Sequence, residues 1–162
     1  MDTEKVTFSV SISTRLPHDL TVNLDPNFQN KTIGLETIRT IQVFLNNLAW
    51  WDGHNHAAQE QYFTADREIA DYIAFYFDEL DELDEAEISA LLPVMTSPAV
   101  RAFRLLREMK SIRVGLHPDG KDDTQQFATF DYSIYLAGEP CNNLLVVNTD
   151  EQGKVDYISW ES

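Results

Sequence analysis

Cysteine is nearly absent from this chain. Cys141 stands alone among 162 residues, so no disulfide can close within it. It sits in GEPCNN with no basic neighbour to stabilise a thiolate, and it reads as a bystander rather than a nucleophile. Glycine and proline are scarce too, six each, which excludes a linker-rich or low-complexity chain. No uninterrupted apolar run approaches the ~20 residues needed to cross a bilayer. The opening MDTEKVTFSV lacks the basic region and long apolar stretch of a secretory signal. We therefore expect a soluble, cytoplasmic protein. Positive charge is the last shortage: 12 Lys and Arg face 27 Asp and Glu, a formal net charge of −15. Nucleic acid and anionic lipid both call for a cationic surface, so neither is an expected partner, whereas a basic protein is.

Chemical motifs are also missing. There is no G-x-S-x-G, no glycine-rich phosphate loop and no EF-hand spacing, and we expect neither cofactor nor metal. His54 and His56 in DGHNHAAQE would diverge by about 200° on a helix, too far to share a ligand. His18 and His117 adjoin prolines and read as exposed turn residues. With 27 acids, paired carboxylates for acid–base work are too unspecific to name.

What is present is strong patterning. Val6, Phe8, Val10 and Ile12 alternate with polar residues, as do Leu20, Val22 and Leu24, and the two runs predict a hairpin. After the break at Asp25-Pro26-Asn27 the period lengthens. Ile38, Ile41, Leu45 and Leu48 mark one helix face, and Asp52 is placed to cap a further helix. Thr64 starts another, with Ile69, Tyr72, Ile73, Tyr76 and Leu80 on its apolar side. Asp84 with Glu87 resembles a capping box, and Ser97-Pro98 a helix start carrying Phe103, Leu106 and Met109. Strands return in SIRVGLH, FATFDYSIYL, NLLVVN and KVDYISW, with Gly153 in TDEQG positioned for a positive φ. Strands, then helices, then strands predict one α+β domain over residues 1–162. Its antiparallel sheet would have about six strands, an N-terminal hairpin plus four C-terminal strands, with a central helical segment packed on one face.

The stretches SIRVGLHPDG, FATFDYSIYL and NLLVVNTDEQGKVDYISWES resemble the ending of an uncharacterised bacterial family, domain of unknown function two-thousand-and-four. DYIAFYFDELDEL and DLTVNLD extend the resemblance to residues 18–162. It implies an α+β fold and a bacterial source, and it brings no catalytic residues.

Charge geography is the remaining signal. Residues 66–87 hold ten acids and one base. Within them, FDELDELDEAE carries seven carboxylates, Asp78, Glu79, Asp81, Glu82, Asp84, Glu85 and Glu87, around inward-pointing Leu80 and Leu83. The sign then reverses along Arg101, Arg104, Arg107, Lys110 and Arg113. Either the basic stripe neutralises the acidic segment within the fold, or the seven carboxylates form an open docking face. The second option leads to a non-enzymatic acidic protein-binding domain, for example an immunity protein or antitoxin-like inhibitor of a basic partner. An alternative is a small-ligand binder or enzyme with its site between sheet and helices, lined by Tyr132, Tyr135, Tyr157 and Trp160. A third is self-association through Trp50-Trp51.

Overall fold

A computed structural model describes residues 20–26, 32–65, 67–80, 84–92, 97–121, 124–136 and 138–162. Strand β1 (Thr21–Leu24) opens the described chain. Five helices follow: α1 (Leu35–Asn46), α2 (Leu48–Ala65), α3 (Arg67–Leu80), α4 (Glu85–Leu91) and α5 (Pro98–Glu108). The chain ends in β2 (Lys110–Leu116), β3 (Ala128–Ser133), β4 (Tyr135–Leu136), β5 (Glu139–Pro140), β6 (Leu144–Thr149) and β7 (Val155–Glu161).

The α+β class is as expected, but the sheet is mixed rather than antiparallel. Its five strands run in the order β1-β2-β3-β6-β7, and β4 with β5 makes a separate two-stranded ribbon. β1 pairs parallel to β2, with Thr21 opposite Arg113 and Leu24 opposite Leu116. A parallel pair needs a long crossover, and all five helices supply it. The predicted strand over 5–13, the other half of the hairpin, lies outside the described residues. The long FATFDYSIYL strand divides at Ile134. Cys141 N–H donates to the Ile134 carbonyl at 3.0 Å and the Ser133 hydroxyl to the Cys141 carbonyl at 2.8 Å, which turns Tyr135 and Leu136 out to the ribbon. Asp52 caps nothing; it sits inside α2, which begins at Leu48, one residue after α1 closes at Asn47.

Thr64, expected to start the next helix, likewise lies inside α2, and α3 begins at Arg67. The helix starts at Asp84 and Ser97 hold. Asp84 accepts from Glu87 N–H at 2.8 Å while the Glu87 carboxylate accepts from Asp84 N–H at 3.1 Å. Ser97 caps α5 ahead of Pro98 by accepting from Val100 N–H. Gly153 has φ +77°, and a Cβ there would stand 2.1 Å from the Trp51 ring, so the turn between β6 and β7 is both left-handed and pressed against α2.

One face of the sheet meets the helices. Phe130 packs on Phe44 of α1, Tyr132 bonds α2, and Trp160 meets Tyr72 and Phe75 of α3. Leu105 and Leu106 of α5, with Met109 at its C-cap, join the same buried cluster. The Tyr72 and Tyr76 hydroxyls reach the Asn143 carbonyl, at 3.3 and 2.6 Å, and tie the loop before β6 to α3. Burial raises both phenols, Tyr76 to about 12. By strand alternation, Arg113, Gly115, Thr129, Asp131, Asn148 and Glu161 belong to the opposite face.

Candidate functional site

The acidic segment spans the end of α3 and the start of α4. Asp78, Asp84 and Glu85 are exposed and Glu87 is half-buried. Asp81, Glu82 and Leu83 lie outside the described residues, as do the side chains of Glu79 and Leu80. Asp84 and Glu87 are spent on the capping box, so their carboxylates already serve the helix. Four cations of the basic stripe have partners away from this segment. Arg107 reaches Glu60 of α2 at 2.5 Å, Arg104 pairs with Glu108 at 3.1 Å, and Lys110 lies 5.1 Å from the centre of the Tyr135 ring. Arg107 holds the Glu60 carboxyl below its ordinary range, and Glu60 raises Arg107 in return. Arg113 pairs with Asp131.

The aromatics proposed for a pocket between sheet and helices do not converge. Tyr132 is fully buried on the helix side, Tyr157 is exposed on the other, and Tyr135 lies under Lys110. Trp160 is 37% exposed at the edge strand. Trp50 is exposed and stacks on His54, while Trp51 is half-buried against Phe44. His56 meets the Tyr132 ring edge-on, and no group of three His, Cys, Asp or Glu among the described residues stands ready to hold a metal.

A polar seam does lie between α2 and β3. The Tyr132 hydroxyl donates to Asp52 at 2.8 Å and accepts from Asn55 Nδ2 at 3.3 Å. Burial, reinforced by the Asp52 charge, raises the phenol strongly. One turn on, Gln59 is fully buried and neither end of its amide has a hydrogen-bond partner among the described residues.

The most organised polar site is on the opposite sheet face, in a recess of about 200 Å³. His117, just past β2, places Nδ1 2.9 Å from Asp25, just past β1. Asp25 N–H also donates to the Leu116 carbonyl at 2.9 Å, so the parallel pairing itself brings the two ends together. The other ring nitrogen, Nε2, lies 3.3 Å from the Thr129 hydroxyl. That hydroxyl accepts from Gln126 Nε2 at 2.7 Å and lies 3.1 Å from Asn148 Oδ1. Gln126 also donates to Asn148. Beside this chain the Arg113 guanidinium, half exposed, donates to the Asp131 carboxylate, whose side chain is 3% exposed. Burial, with the Glu161 charge adding to it, raises Asp131 against the opposing pull of Arg113. Lys121 and Glu161 complete the rim.

The sequence reading placed His117 in an exposed turn; the structure buries most of it and gives it two partners. Nothing local announces this, because Asp25 is 92 residues away. The one local signal is Gly115, a glycine inside a strand, which often marks a close approach of ligand or backbone. No family model matches the sequence, and neither a curated protein nor a solved structure matches it.

Proposed function

We propose that this chain is a non-enzymatic acidic domain that binds a basic protein, in the manner of an immunity protein or antitoxin-like inhibitor. One observation carries the reading: Arg104, Arg107 and Lys110 are engaged with Glu108, Glu60 and Tyr135, while Asp78, Asp84 and Glu85 stay exposed. A net charge of −15 adds a long-range field that would speed encounter with a cationic cleft. Bacterial origin, a cytoplasmic setting and kinship with the family of unknown function named above belong to the same proposal. No helix among the described residues is long and apolar enough to cross a membrane.

The test is affinity capture of a basic partner, identified, purified and titrated at two salt concentrations. The variants are Asp78→Asn and Glu85→Gln, which spare the capping box. The expected result is an affinity that falls with salt and an association rate lowered by each substitution. A partner bound equally well at both salt concentrations, or with no loss in either variant, overturns the reading, as does the absence of any basic partner.

A further inference from the structure

We propose that the recess on the sheet face turned away from the helices is a binding site for a small hydroxycarboxylate. The inference is independent of the acidic segment and goes beyond the protein-binding reading. It starts from Gly115, which lines the recess near the end of β2. Among the described residues, a Cβ there would meet the His117 ring nitrogen at 3.6 Å and Thr129 at 4.0 Å, both ordinary contacts, so these neighbours do not demand glycine. A strand position without a side chain is intrinsically unfavourable, and here it leaves open space over the sheet.

The groups around that space are held in place and incompletely used. With its ring proton on Nδ1 facing Asp25, His117 presents Nε2 as an acceptor. The single Thr129 proton has two acceptors to choose from, and Asn148 at 3.1 Å is nearer than His117 at 3.3 Å. When that proton goes to Asn148, the Nε2 lone pair is left for a donor on a ligand, such as a hydroxyl. Two of the three carboxylates of the recess are committed, Asp25 to His117 and Asp131 to Arg113, and Glu161 stands on the rim. The cations keep donors to spare. Arg113 uses Nε and Nη2 on Asp131, which leaves its outer nitrogen, and the Lys121 ammonium stands on the same rim. Spare donors at one end and a spare acceptor at the other fit a carboxylate joined to a hydroxyl. A volume of about 200 Å³ has room for about six water-sized groups at ~30 Å³ each, the size of a three-carbon acid.

The experiment follows the His117 ring C–H resonances of the intact chain by NMR while lactate is added, with acetate and inorganic phosphate as comparison probes. A saturable shift with lactate, at least about tenfold tighter than with acetate, is the expected result, because acetate cannot donate to Nε2. Gly115→Val places methyl groups in the recess and should abolish the response without lowering the melting temperature. Lys121→Gln, on the rim, should weaken lactate and leave the fold intact, which keeps the test valid if the valine variant folds poorly. The proposal is overturned by no saturable shift in the millimolar range. Equal response to lactate and acetate, or an undiminished response in both variants, overturns it as well.

Discussion

Asp131 and Arg113 form an unequal pair, and the inequality is measurable. The carboxylate is buried and the guanidinium is half in water. Remove the arginine, and a buried charge loses the guanidinium that pairs with it; remove the acid, and the arginine turns to solvent. Arg113→Met is therefore expected to cost about 2 kcal/mol or more at neutral pH, and Asp131→Asn only about 1 kcal/mol. The pH dependence follows from the raised folded-state value of Asp131. A raised acid contributes its stability below the unfolded value and loses it as pH rises through the folded one. Without Arg113 the folded value rises further, so the Arg113→Met deficit grows as pH climbs from the ordinary carboxylate range, and protonation relieves it below. Urea denaturation at several pH values reads this directly, and a deficit constant with pH would refute it. His117 shows why such residues escape sequence reasoning. Its neighbours in the chain, Leu116 and Pro118, say turn, while its chemistry is set by Asp25 and Thr129.

Among the elements, α2 conflicts with its own environment. Its buried residues are Leu48, Asn55 and Gln59, a polar selection for the face pressed on a sheet. Asn55 is partly satisfied by Tyr132, but the Gln59 amide finds no partner at either end among the described residues. An unpartnered buried amide costs about 1–3 kcal/mol, and an apolar side chain of similar shape removes that cost. Gln59→Met is expected to stabilise the fold by about 1 kcal/mol, a rise of about 2–4 °C in melting temperature at this chain length. Thermal unfolding followed by circular dichroism tests it; a lower melting temperature would mean that the amide is satisfied by bound water. Other elements were legible beforehand. The Asp84–Glu87 box, the Ser97-Pro98 start and the Gly153 turn depend on residues within a few positions of one another. The division of FATFDYSIYL at Ile134 was not legible, because it is made by bonds from Cys141 and Ser133 across the ribbon.

For the whole molecule, the dominant quantity is charge. A net −15 on 162 residues sets the compact state against its own repulsion, and salt screens that repulsion. Added sodium chloride is expected to raise the melting temperature by about 2–4 °C, equivalent to ~1 kcal/mol. It should weaken a basic partner at the same time. A melting temperature that falls with salt would show that favourable ion pairs such as Arg107–Glu60 outweigh the repulsion. The sequence by itself determined the α+β class, the caps at Asp84 and Ser97 and the charge balance, because each rests on composition or on residues close in the chain. Only the tertiary structure decided that β1 runs parallel to β2, and with it that Asp25 reaches His117. It likewise decided that Arg107 turns to Glu60. The physical reason is common to all three: pairing across long separations is chosen by how the whole core packs, and no local period or cap records that choice.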